Sequence, residues 1–131
     1  MQGIAAVFIG GGLGALGRWV LTNISSNAIS SIGLERDSIA IATLLVNLIG
    51  SFAMGIAYGV FSRHSPHASL RLVLATGFLG GFTTFSTYVL ELANGLRAGK
   101  PYRAMGLALA ANLGSPALVL IGMGLGDAAA S

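Results

Sequence analysis

The sequence predicts an all-α integral membrane protein, a single domain over residues 1–131 with four transmembrane helices. Three observations carry this. Of 131 residues, 54% are hydrophobic and only 8% are charged, against about 25% charged in ordinary soluble domains. A soluble fold of this size keeps much of its surface in water, and 7 basic with 4 acidic residues do not cover it. The apolar residues also fall into four long runs, each close to the roughly 20 residues that a helix needs to cross a bilayer.

The same composition excludes other classes. Cysteine is absent, so this is no disulfide scaffold. The pI is near 10.0, but the net charge is only +3 and no basic run exists, which argues against nucleic acid. Four spans leave only short loops. No soluble catalytic domain fits, and the function is expected inside the membrane part.

The first span is predicted over 3–22, interrupted only by Arg18, close enough to its end to snorkel. The opening residues lack the charged start of a signal peptide, so this segment is expected to stay attached. A polar stretch over 23–38 follows and holds Glu35, Arg36 and Asp37. The second span, 39–61, contains no charge. Arg63, His64, Ser65, Pro66 and His67 form a short turn. The third, 70–96, carries Arg71 at its start and Glu91 near its far end. After Arg97, Gly99 and Lys100, Pro101 suits a helix start, and the fourth span covers 103–126.

Gly costs about 1 kcal/mol against Ala inside a helix, so 20 glycines need a reason. In lipid, small residues let backbones approach closely. Gly10 and Gly14 on the first span, Ser51, Gly55 and Gly59 on the second, and Gly106, Ala110 and Gly114 on the fourth stand four apart. Generic helix packing and a pore-specific role both account for such stripes. Loop charges orient the chain only weakly: Arg63 and Arg71 lie on the side of the termini, and Arg36, Arg97, Lys100 and Arg103 lie opposite.

Several motifs lead nowhere. Gly12 to Gly17 fits GxGxxG, but that fingerprint needs a preceding strand and a following βαβ unit, so no nucleotide is expected. His64 and His67 share a polar turn with no acidic or thiol partner nearby, which reads as a solvated loop. No nucleophile–base pair or paired carboxylates can meet in one water-accessible space, and no enzyme is expected.

The informative stretch is Gly77 to Tyr88, GFLGGFTTFSTY, in the middle of the third span. Two adjacent glycines and four hydroxyl residues in five positions are a poor recipe for a continuous membrane helix. A broken helix is tolerated at membrane depth only where protein or a water-filled cavity receives the freed backbone groups. Such breaks build ion sites; the alternative is a kink that back-bonds its own hydroxyls. A second polar stripe, Thr43, Asn47 and Ser51, recurs every four residues on the second span, and Asn112 and Ser115 stand three apart on the fourth. Neutral donors suit a small anion, replacing its water without trapping it by full charge. Taken singly, each polar residue also serves as interhelical glue, worth about 0.6 kcal/mol a pair.

These residues resemble the small fluoride channels of the Fluc (CrcB) family along nearly the whole chain. The match is carried by Gly11-Gly12 through Gly14-Ala15 to Arg18-Trp19, by Thr43-Leu44 through Val46-Asn47 to Gly50, by Gly77 to Tyr88, and by Gly114-Ser115. The resemblance implies an antiparallel, dual-topology homodimer with a third helix broken mid-membrane, two fluoride pores per dimer and a structural Na⁺ at the interface. It implies passive, selective export of fluoride across the plasma membrane, the inner membrane in a bacterium. Phe85 and Tyr88 resemble the two pore aromatics that meet fluoride with their ring edges, the positive rim of the ring quadrupole. Asn47 resembles the pore asparagine, with Thr43 one turn away; Ser86 and Thr87 resemble the hydroxyl track, and Ser115 the fourth-helix serine. Gly80 and Thr83 resemble the residues whose backbone carbonyls hold Na⁺. Arg18 matches a family arginine, at an anion vestibule or as an interfacial anchor.

Two departures stand out: the second aromatic is commonly Phe, and Ala111 stands where some relatives are polar. Two other functions compete. A proton-coupled multidrug transporter of four helices needs a deep carboxylate in the first span, which is missing here. A structural membrane subunit leaves the Gly80 to Tyr88 stretch unexplained.

Overall fold

The computed structural model describes residues 2–63 and 68–131, so the His64–His67 turn lies outside the described residues. All regular structure among them is helical. Helix α1 spans Gln2–Ser31 and α2 spans Ser38–Arg63, with a single 3₁₀ turn at Glu35–Asp37 between them. Helix α3, residues 68–82, consists of an α turn Ala68–Arg71, a π-helical stretch Leu72–Leu79 and a last turn Gly80–Phe82. Thr83 and Thr84 are extended, and α4 (Phe85–Arg97) follows them. Helix α5 spans Pro101–Ala129. Four segments are long and apolar enough to cross a membrane: Gly3–Ser31, Glu35–Arg63, Ala68–Arg97 and Pro101–Ala129. The chain is a multi-pass membrane protein.

Helix α1 continues through most of what the sequence reads as a polar stretch. Its polar residues stay helical because they bond their own turn: Asn23 Nδ2 donates to the Trp19 carbonyl at 2.7 Å, and Ser26 Oγ to that of Asn23 at 3.1 Å. The helix then stops at Gly33, whose φ of +88° suits glycine alone. The Gly33 N–H donates to the Ser30 carbonyl and the Leu34 N–H to that of Ile29, a Schellman closure. Gly99, at φ +68°, closes α4 in the same way through Leu96 and Gly95. Pro101 then opens α5, where its missing N–H costs nothing.

Two parallel pairs make up the bundle. Helix α1 runs along α3, where glycines bring main chain against main chain. A Cβ on Gly14 would stand 2.9 Å from Phe82 N and collide with the Phe78 carbonyl oxygen. One on Gly77 would reach the Cα of Gly10 at 2.9 Å. Helix α2 runs along α5, the most extensive packing in the molecule. Gly55 there faces the main chain of Val119 and Met123, and Gly122 faces that of Phe52 and Ile56. The close-packing stripe of α5 is therefore Gly122 and Gly126, not Gly106 to Gly114. Gly106 faces open space and Gly114 meets only the end of the Leu48 side chain.

Ion pairs tie the ends of α2 and α5. Arg103 pairs with Asp37 at one end, and Arg63 Nε stands 3.7 Å from Asp127 Oδ1 at the other. Both pairs are open to solvent, and exposed pairs are worth about 0–1 kcal/mol. Arg103→Gln is accordingly expected to lower stability by no more than about 1 kcal/mol, read as a small shift in thermal unfolding of the detergent-solubilised protein.

Candidate functional site

The two residues between α3 and α4 organise the site. Thr83 (φ −81°, ψ 155°) and Thr84 (φ −145°, ψ 119°) turn the chain out of helical geometry. A helix stopped here leaves carbonyls behind it and N–H groups ahead of it without their usual partners. Side chains take up part of that deficit. Thr84 caps α4, its Oγ1 accepting from the Thr87 N–H at 3.3 Å, a favoured residue type in its favoured role. Thr83 Oγ1 donates back to the Leu79 carbonyl at 3.1 Å. The Arg18 Nε of α1 donates to the Gly81 carbonyl at 3.2 Å, so this arginine reaches the interruption itself.

The strongest tie comes from α2. Asn47 Oδ1 accepts from the Thr84 N–H at 2.8 Å while Asn47 Nδ2 donates to the Thr84 carbonyl at 2.9 Å. One amide side chain thus pairs with both main-chain polar groups of one residue, as a neighbouring strand would. Gly50, one turn further along α2, makes the approach possible: a Cβ there would lie 3.1 Å from the Phe82 ring and collide with the Thr83 methyl. The carbonyls of Gly80 and Thr83 receive no hydrogen bond among the described residues. Gly80 is exposed, and a Cβ there would meet nothing closer than the Ala75 carbonyl at 3.7 Å.

In front of this junction lies a groove of ≈ 380 Å³ between α2, the start of α4 and α5. It brings together Asn47, Thr83, Phe85, Tyr88 and Ser115 from the residues singled out in the sequence, and none of its lining side chains is charged. The rings of Phe85 and Tyr88 stand 5.7 Å apart at 50°, and Phe85 is 75% exposed. The α4 N-terminus, the positive end of its dipole, opens here.

Other expected members lie elsewhere. Thr43 is buried, 3% exposed, in the packing of α2 and does not line the groove. Ser86 and Thr87 also stand outside its lining. They form instead a short hydroxyl chain, Thr84 Oγ1 lying 3.4 Å from Ser86 Oγ and donating to Thr87 Oγ1 at 3.1 Å. Gly80 and Arg18 flank the junction from the α3 side. Ala111 lies at the groove wall, so its polar lining is thinner there.

Sequence reasoning missed one member, Thr84, and left the partner of another, Asn112, unread. Thr84 carries the cap and receives the Asn47 amide, and only its place among the hydroxyls marked it. Asn112 of α5 donates to the Tyr88 hydroxyl oxygen at 2.7 Å; its own position in the sequence did not show which residue it meets. Glu91 lines a second cavity of ≈ 530 Å³ at the Arg103–Asp37 end, away from the junction.

The family model described as CrcB-like protein, Camphor Resistance (CrcB), matches residues 5–123. Relatives named fluoride-specific ion channels are similar over almost all of the chain. One from Burkholderia cenocepacia is 40% identical over 121 residues, 92% of this chain and 89% of its own length. One from Yersinia pseudotuberculosis is 37% identical, covering 90% and 88%, and one from Mesorhizobium japonicum is 36% identical, covering 95% and 96%. Identity of this extent, centred on a chain whose threonine junction, asparagine and paired rings converge on one groove, has one reading: the chain belongs to the CrcB family.

Proposed function

We propose that this protein is a fluoride-selective channel that lets F⁻ leave the cell passively, and is not an enzyme. The observation that carries the proposal is the uncharged groove at the Thr83–Thr84 junction, where Asn47, Phe85, Tyr88 and Ser115 meet. The likeness to channels named for fluoride adds to it. Weak acid enters a cell as neutral HF, dissociates in the more alkaline interior and leaves F⁻ trapped. A membrane path for the anion drains it with no energy source. A fixed set of neutral donors replaces the water of the smallest halide and suits chloride poorly, while a full positive charge would hold the ion too long. The edges of the Phe85 and Tyr88 rings present the positive rim of the quadrupole.

The working form is an antiparallel homodimer with two pores, in the plasma membrane. Support comes from what one copy leaves uncovered: the polar side chains of Ser86 and Asn112 are exposed, as is the Phe85 ring at the groove, and lipid is a poor surrounding for polar side chains. A second copy laid against this side encloses the groove, and the Thr83–Thr84 interruption then lies at membrane depth. The carbonyls of Gly80, an exposed residue, and of Thr83 fit a hard cation, because neutral backbone oxygens replace its hydration shell. One copy offers these two oxygens, and a second copy doubles the set around the ion. Its role when bound is to neutralise and hold together the carbonyls of the two junctions.

Liposomes holding the purified protein test the function. After the membrane potential is released, a fluoride electrode is expected to record rapid efflux, and a chloride electrode none. Absence of fluoride release from well-inserted protein would sink the channel reading. Phe85→Ile keeps the bulk and removes the ring edge. It is expected to abolish fluoride efflux while the protein still assembles and elutes as wild type, an outcome that a purely structural subunit would not give.

A further inference from the structure

The ring of Tyr88 enters the reading above by its edge, and its hydroxyl is left without a task. That oxygen lies 2.7 Å from Asn112 Nδ2, and the same nitrogen stands 2.8 Å from the Ala108 carbonyl oxygen. A backbone carbonyl only accepts, so the amide atom facing Ala108 is the nitrogen, and the orientation of Asn112 is fixed. One Nδ2 hydrogen goes to Ala108 and the other to Tyr88. An amide NH₂ accepts nothing. The Tyr88 oxygen is therefore the acceptor of this pair, and its own proton points elsewhere. Among the described residues no acceptor takes that proton. Tyr88 itself lines the groove, together with Phe85, Asn47, Asn112 and Ser115.

We infer that the Tyr88 hydroxyl donates a hydrogen bond to the anion in the groove, and that Asn112 is the positioning residue that keeps it facing that way. The inference rests on the channel reading and adds to it a determinant of how tightly fluoride is held. A hydrogen bond to an anion is roughly twice as strong as one between neutral groups, whereas a ring edge offers only a diffuse positive rim. Tyr88 turns a passage between two rings into a resting site. Without Asn112 the hydroxyl rotates freely, and its proton is no longer committed to the ion.

Conductance in planar bilayers across a series of fluoride concentrations tests this, on wild type, Tyr88→Phe, Asn112→Ala and the double variant. Tyr88→Phe changes no ring atom. It is expected to raise the half-saturating fluoride concentration about tenfold, the scale of one hydrogen bond to a charged partner, while fluoride still passes. Asn112→Ala is expected to raise it by a smaller factor in the wild-type background and by nothing further in Tyr88→Phe. An unchanged half-saturating concentration in Tyr88→Phe overturns the hydroxyl donor. An equal shift from Asn112→Ala in both backgrounds overturns the positioning role, since Asn112 would then act independently of the hydroxyl. Wild type that carries no fluoride overturns the channel reading and this inference with it.

Discussion

Gly14→Ala is expected to prevent most of the protein from reaching its native packing. Seen on α1 alone, the change is favourable, since Ala is preferred to Gly in a helix by about 1 kcal/mol. The obstacle lies across the interface. The new Cβ would stand 2.9 Å from Phe82 N, also 2.9 Å from the Phe78 carbonyl carbon, and closer still to that carbonyl's oxygen. All three are main-chain atoms, so no side chain can swing aside. Ordinary over-packing costs about 1–3 kcal/mol because side chains and backbone share the strain. Here α1 and α3 must separate as rigid helices, which also pulls apart the contact at Gly77 and draws Arg18 away from the Gly81 carbonyl.

The comparison that isolates this effect is Gly12→Ala. It has the same helix and the same gain in propensity, with nothing within 4 Å of the added methyl. Size-exclusion profiles and thermal unfolding in detergent are expected to show Gly12→Ala at or above wild type. Gly14→Ala should be aggregated, or unfold well below it. Equal unfolding temperatures for Gly14→Ala and wild type would refute the close seating of α1 on α3.

That contrast also shows what could be read from the sequence. The four spans were legible because each is a long apolar run, and hydropathy reports burial in lipid directly. Gly10 and Gly14 were legible as a small-residue stripe, but not their partners, which lie some sixty residues away. On the fourth span the spacing pointed at Gly106, Ala110 and Gly114, whereas the backbone contacts fall on Gly122 and Gly126. Spacing alone does not say which face of a helix meets its neighbour. The π-helical turns of Leu72–Leu79 had no signal at all. Nothing in that apolar run distinguishes one hydrogen-bond ladder from another, and the wider turn is decided by packing. At the site, Gly80-Gly81 with four hydroxyls marked the place where the helix is weak. The pairings that occupy it join residues 37 and 24 apart, and the two asparagines that make them read singly as polar glue.

Asn47→Asp is expected to reduce fluoride efflux at least a hundredfold, more than any change to the hydroxyl chain. The substitution keeps shape and size, so its effect is chemical. Asn47 serves the main-chain N–H and C=O of Thr84 with one acceptor and one donor; a carboxylate offers acceptors only. The bond from the Thr84 N–H survives. The other becomes a contact between a negative oxygen and the Thr84 carbonyl oxygen, in a groove with no cation among its lining side chains. Leaving a buried polar group unsatisfied costs about 1–3 kcal/mol, more where charge is involved, and the added negative charge repels an anion on its way through. Asn47→Leu separates these two effects. It removes both bonds to Thr84 without adding charge, so it is expected to lower the unfolding temperature and weaken efflux less than Asp does. If efflux is equal in Asn47→Asp and wild type, the residue neither positions the junction nor lies on the route of the ion. If Leu and Asp lower efflux equally, the pairing with Thr84 accounts for the whole effect, and the charge facing the ion accounts for none of it.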